Sequence, residues 1–177
     1  MRRYQAQFLH FCCVKDKKLI VALASDHEGF SYKETLVMEL PKLGFSVINL
    51  GTSSEDPVDY PDVAESLADA LRQGEADRGI LICSSGVGVS VAANKFPRIR
   101  AGLCHDAYSA HQGVEHDGMN VLCLGAGIVG IELARDIIKA FLNARFDNLE
   151  RHCRRLSKLA DIERRFMKTP TQEEEGE

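Results

Sequence analysis

The sequence predicts an α/β fold: a three-layer α-β-α sandwich around a five-stranded, Rossmann-like parallel sheet, with an extra C-terminal helix. Two observations carry this. Five apolar runs, each five or six residues long, recur along the chain, and stretches with apolar residues at helical spacing separate them. No repeat or internal linker interrupts the alternation, so one domain is expected over residues 19–166, with an N-terminal extension over 1–18 and an acidic, disordered tail over 167–177.

Leu19 to Ala24 (LIVALA) is continuously apolar, as a strand buried on both faces should be. The polar turn Ser25-Asp26-His27-Glu28-Gly29 leads into a helix reaching Leu43, with Leu36, Val37, Leu40 and Leu43 on one side and Gly44 as its stop. Phe45 to Leu50 is the second strand. After the polar loop from Gly51, Pro61 suits the first turn of a helix whose Ala64, Leu67, Ala68 and Leu71 share a face. Gly79 to Cys83 is the third strand, followed by Ser84-Ser85-Gly86-Val87-Gly88 and a short helix to about Asn94. Arg100 to Cys104 is the fourth, after which Asp106 caps a helix to about His116. Asn120 to Leu124 is the fifth, followed by a helix from Ile128 to Arg145 and a last one from Asn148 to Phe166.

Composition excludes several classes of function. The 177 residues carry a net charge of -4, which argues against a bulk electrostatic nucleic-acid binder. No run approaches the roughly 20 apolar residues of a membrane helix. The six cysteines include no CxxC pair and no zinc-ligand spacing, and Cys83, Cys104 and Cys123 end apolar runs as buried thiols do. The start, QAQFLHFCCV, is short, interrupted by polar residues and without a small-residue cleavage site, so a cytoplasmic protein is expected.

Ligands of such sheets bind beyond the carboxyl ends of the strands, which directs attention to two glycine loops. Gly125-Ala126-Gly127-Ile128-Val129-Gly130 is a literal GxGxxG, but no later strand supplies the acidic residue that would hold a ribose. Close strand-to-helix packing explains it better than a dinucleotide does. Cys83-Ser84-Ser85-Gly86-Val87-Gly88 carries more chemistry. A thiol ends a strand, small residues feed into a helix, and backbone N–H groups converge on one spot. A thiolate favoured by a helix N-terminus, beside oxyanion donors, is what proton abstraction next to a carbonyl requires. Read alone, the loop is also compatible with an inert cysteine before an ordinary turn.

An inert cysteine no longer suffices when the loops are taken together: Ser25 to Gly29, Asp59-Tyr60-Pro61, Gly79 to Gly88, Ala92-Ala93-Asn94-Lys95, His116 with Asn120-Val121-Leu122, and Arg151-His152 with Arg155. In this order and spacing the chain resembles the B-type ribose-5-phosphate isomerases, a family that includes galactose-6-phosphate and allose-6-phosphate isomerases. The resemblance runs from Leu19 to about Phe166. It implies an aldose–ketose isomerisation of ribose 5-phosphate to ribulose 5-phosphate through an enediolate, in the pentose phosphate pathway, with no metal or cofactor. It implies Cys83 as the base between C1 and C2, Ser85 as the exchanger of hydroxyl protons, and the backbone of Ser84, Gly86, Val87 and Gly88 as the cradle for the enediolate oxygen. Asp26 and His116 are implied in substrate binding and furanose opening, Tyr60 in shaping the sugar pocket, and Arg151, Arg155 and His27 in holding the phosphate. A homodimer or homotetramer with the site at the subunit interface is implied too.

The residues themselves support these roles and leave bland ones open. Arg151 and Arg155 lie four apart on a helix and can converge on one phosphate, although Arg154, Lys158, Arg164 and Arg165 nearby also read as a solvated basic face. Asp26 is also a natural turn cap, His116 a helix-end histidine and Tyr60 a loop anchor. His105, Asp106 and His111 suggest no metal pattern. Three positions depart from the family: Asp117 where relatives carry Asn, Gly127 where many carry an Arg, and Ser84 in place of a common Gly, tolerable only away from positive φ. The first two leave open another sugar phosphate, such as allose 6-phosphate or galactose 6-phosphate, or a binding protein that has lost its chemistry.

Overall fold

The computed structural model describes residues 18–166, so the N-terminal extension before Lys18 and the acidic tail from 167 lie outside the described residues. Strands β1 (Ile20–Ser25), β2 (Ser46–Gly51), β3 (Arg78–Cys83), β4 (Ala101–Leu103) and β5 (Val121–Gly125) form one parallel sheet in the order β2-β1-β3-β5-β4. The helices are α1 (Phe30–Glu39), α2 (Tyr60–Gln73), α3 (Val87–Ala93), α4 (Ala107–Asp117), α5 (Ile131–Asn143) and α6 (Glu150–Phe166). Short 3-10 turns, His27–Gly29 and Leu40–Leu43, flank α1.

Alternation along each strand divides the core into the two layers that the apolar runs predict. Val21, Leu23, Ile80, Ile82, Leu122 and Leu124 face one way and meet Leu36, Leu40, Val114, Ile137 and Phe141. Ala22, Ala24, Leu81, Cys83, Val121 and Cys123 face the other way and meet Val63, Leu67, Val89 and Ala93. The second layer sets small strand residues against α2 and α3, so those helices approach closely. A leucine at position 79 would not fit there: even a Cβ would lie 2.5 Å from Leu67 Cδ2. Cys104 and Cys123 are buried, free thiols; burial pushes the first up to about 11 and raises the second further. No helix among the described residues is long and apolar enough to cross a membrane.

Several boundaries differ from the sequence expectation for local reasons. The helix expected to run to Leu43 tightens at Leu40, because Pro41 has no N–H to continue the ladder. The helix expected from Ile128 begins at Ile131. Residues 125–130 form a turn in which Ala126 N–H donates to Cys83 O and Gly127 N–H to Ser84 O, each at 2.9 Å. Those N–H groups hold the two glycine loops together. That helix stops at Asn143, where Arg78, 5% exposed, donates to the carbonyls of Phe141 and Ala144. The last helix starts at Glu150 because Asn148 has φ +58.

Candidate active site

β1 leads to β2 on one side of the sheet and β3 lies on the other, so the topology switches between β1 and β3. Ser25 pairs with Ile82 across that boundary, and Asp26 and Cys83 therefore leave the carboxyl edge side by side. Asp26 N–H donates to Ile82 O at 3.3 Å, and its side chain accepts the Gly29 N–H at 3.1 Å. The cap expected of this carboxylate is thus formed, yet the residue is only 6% exposed and burial raises its carboxyl above 3.8. A carboxylate so placed holds a proton more readily than one in water.

Cys83 is 5% exposed and its Sγ accepts the Gly86 N–H at 3.0 Å. Glycine is required at both walls of this loop. Gly86 has φ +79, and a Cβ there would lie 2.5 Å from Leu103 Cδ1 and 2.9 Å from Leu124 C. A Cβ on Gly125 would lie 2.6 Å from the carbonyl carbon and oxygen of Ser85. Ser84 does not have positive φ, so the serine is unstrained at its position. Ser85 Oγ accepts the Val87 N–H at 3.3 Å, which leaves its own O–H free to donate. Of the loop N–H groups expected to face substrate, those of Gly86 and Val87 are therefore engaged within the chain.

Tyr60, at the start of α2, lies over α3: a Cβ on Gly88 would be 3.1 Å from its ring. His27 Nδ1 accepts the Val58 N–H at 3.2 Å, tying the loop before α2 to the end of β1. The sequence reading missed Lys33, which fastens the same loop. It is 1% exposed, and Nζ donates to Leu50 O at 2.9 Å and to Thr52 O at 2.6 Å. Burial lowers its ammonium group. The signal was available, since Lys33 shares the i, i+3, i+7 stripe of Leu36 and Leu40.

The remaining candidates form a second group at the other edge of the sheet. α4 runs back from β4, and its C-terminal Gly118 and the following Asn120 sit where Gly79 N–H donates to Asn120 O and Arg100 Nε to Gly118 O. His116 is two residues before Gly118, with exposed Asp117 between. Its ring stacks on that of His152, centroids 4.2 Å apart. His152 is 2% exposed; Nδ1 lies 2.8 Å from Asp147 Oδ2, and Nε2 accepts from Arg151 Nε at 3.0 Å. Arg155 is exposed one turn further along α6. His152 and Asp147 carry no role in the sequence reading, although His152 lies one turn before Leu156 on the buried face of α6.

One chain thus gathers Asp26, His27, Tyr60 and the Cys83 loop at the carboxyl edge, and His116, Asp117, Arg151 and Arg155 at the amino edge. It does not bring the two groups together. Gly79 and Cys83 mark the two edges, and at about 3.3 Å per residue they are about 13 Å apart. Gly127, another of the departures, is packed against Ser84: a Cβ there would be 3.2 Å from Ser84 O.

The fold agrees with what the chain is similar to. The sequence profile described as Ribose/Galactose Isomerase matches residues 21–159. Ribose-5-phosphate isomerase B of Escherichia coli is 44% identical over 145 residues, covering 82% of this chain and 97% of that protein. The solved structure of Clostridium thermocellum ribose-5-phosphate isomerase B superposes with a TM-score of 0.81 at 42% identity, over 84% of this chain and 99% of that one. The Mycoplasma genitalium ribose-5-phosphate isomerase B structure, with bound ribulose-5-phosphate, gives 0.78 at 36% identity, with the same shares covered. With a matching profile over most of its length and a common fold at this identity, the chain belongs to the ribose/galactose isomerase family.

Proposed function

We propose that this protein is a cytoplasmic ribose-5-phosphate isomerase, acting in the pentose phosphate pathway without a cofactor, whose site is completed by a second copy of the chain. The observation that carries the reading is Cys83, a thiol at the topological switch with a backbone N–H aimed at its sulfur and a buried carboxylate beside it. Opening the furanose exposes the carbonyl. Asp26 takes the anomeric hydroxyl proton, for which its raised affinity suits it, while His116 gives a proton to the ring oxygen. The Cys83 thiolate then removes the C2 proton, and the electron pair moves through C1 to the carbonyl oxygen. Ser84, Ser85 and Gly88 N–H groups remain to steady that enediolate oxygen. Ser85 Oγ relays the hydroxyl proton between O2 and O1, and Cys83 returns its proton to C1. Tyr60 walls the sugar, and His27, Arg151 and Arg155 take the phosphate.

A second copy is invoked because His116, Arg151 and Arg155 stand at the edge opposite Cys83. α6 supports this, since Leu159, Ile162 and Phe166 along it are 46–78% exposed and Leu149, just before it, is 45% exposed. The wild-type protein should turn over ribose 5-phosphate in preference to allose 6-phosphate and galactose 6-phosphate. Cys83→Ala should lose about 10²–10⁴-fold in kcat while keeping its melting temperature; full activity in that variant would sink the assignment. Mixing inactive Cys83→Ala with inactive His116→Ala chains tests the shared site. Hybrid dimers carry one intact site, so about a quarter of wild-type activity should return after subunit exchange. A mixture that stays inactive although exchange is demonstrated would place both residues in one chain's site.

A further inference from the structure

The amino-edge group contains an ionisable pair, buried His152 and half-buried Asp147, that the mechanism above leaves unused. His152 has both ring nitrogens engaged, and the partners fix its tautomer. Arginine Nε can only donate, so the His152 Nε2 that meets Arg151 at 3.0 Å must accept. The ring proton is therefore on Nδ1, which donates to the Asp147 carboxylate at 2.8–2.9 Å. Asp147 is anchored in turn. Its N–H donates to Glu115 O at 3.1 Å, in the last turn of α4, and its carboxylate accepts the Leu149 N–H at 2.9 Å before α6. Burial pushes this carboxyl up, but the Leu149 N–H and the His152 ring outweigh that and hold it below the usual range.

His116, Asp147 and His152 are close enough to suggest a metal site. The arrangement favours a different use: His152 has no free lone pair, and a cation would meet the Arg151 guanidinium. We propose that Asp147 and His152 are positioning residues that aim Arg151 at the substrate phosphate. Asp147 sets the tautomer, the tautomer makes Nε2 an acceptor, and Nε2 pins the Nε of an otherwise exposed arginine. The Nη1 and Nη2 fork is left for two phosphate oxygens. This inference rests on the isomerase reading, in which Arg151 binds the phosphate.

The test is Asp147→Asn in the full-length protein, with inorganic phosphate binding measured by calorimetry beside turnover. The amide can donate to Nδ1 and move the ring proton to Nε2, where it opposes the arginine. Phosphate Kd and KM for ribose 5-phosphate should both rise about tenfold, with kcat within about threefold of wild type. A fall in kcat with Kd and KM unchanged would overturn the proposal, as would no change in any of them. Should that variant fail to fold, His152→Asn and His152→Gln decide through phosphate Kd alone. The Gln amide oxygen can replace Nε2 and should restore binding to within about threefold of wild type, whereas the Asn amide replaces Nδ1 and should not. Equal loss in the two would overturn the proposal. A wild type that binds phosphate but does not turn over ribose 5-phosphate would instead refute the isomerase reading.

Discussion

Gly86→Ala is a substitution whose cost can be worked from two separable parts. The residue has φ +79, a conformation that costs an L-residue about 1–2 kcal/mol. Its new Cβ would meet Leu103 Cδ1 at 2.5 Å, a side-chain end that can rotate away. It would also meet Leu124 C at 2.9 Å and Gly125 N at 3.0 Å, backbone of β5 that cannot. Overpacking of this kind costs about 1–3 kcal/mol, so the total is about 2–5 kcal/mol. Gly74 supplies the control: φ +78 with no atom within 4 Å of a Cβ, hence the backbone cost alone. Urea unfolding at 25 °C and one protein concentration should place Gly86→Ala below Gly74→Ala by about 1–3 kcal/mol. Turnover should fall as well, because the Gly86 N–H leaves Cys83 Sγ. Equal stability of the two variants would refute the steric lock, and wild-type turnover in Gly86→Ala would refute the part given to that N–H.

Two further substitutions separate stability from activity. Asp26→Asn keeps an acceptor for the Gly29 N–H and removes a buried charge. Because burial raises the Asp26 carboxyl, the folded chain binds more protons than the unfolded one just above pH 3.8, and wild-type stability falls as pH rises through that window. The variant should therefore melt higher than wild type at pH 7, with the gap closing toward pH 4, while turnover drops; a lower melting temperature at pH 7 would contradict this. Gly88→Ala gains up to about 1 kcal/mol of helix propensity, but its Cβ crowds the Tyr60 ring. Tyr60 is 42% exposed and can yield, so stability should hold while KM rises. An unchanged KM would remove Tyr60 from the sugar pocket.

The sheet was legible because its central strands β1, β3 and β5 are buried on both faces, which makes each a nearly continuous apolar run, while β2 and β4 at the edges are only partly buried. Leu19 to Ala24 was expected and Ile20–Ser25 is observed. Helix ends were less legible. The starts of α5 and α6 depend on Gly127 N–H reaching Ser84 O and on Asn148 adopting φ +58, neither of which apolar spacing records. The Cys83 loop could be read because thiol, serines and glycines are adjacent in sequence. The separation of His116 from Cys83 was also implicit, since a helix following a parallel strand must run back to the amino edge. The hydrogen bonds of Lys33 and His152 were not legible, because a polar residue on an apolar stripe announces burial but not its partner.

The strand order has a consequence for how the chain acquires its shape. β4 pairs only with β5, which is made after it and inserts between β4 and β3. On a ribosome β4 emerges with no neighbour to receive it, while β1, β2 and β3 can already pair and seat Asp26 beside Cys83. The edge bearing His116 and Arg151 waits until β5 and α6 have been translated. The two halves of the proposed site are thus separated in time as well as space. A nascent chain stalled before β5 would display Cys83 on an open sheet edge, its loop still lacking the wall that Gly125 to Gly127 supply, the stage at which chaperone binding or mispairing would act most strongly.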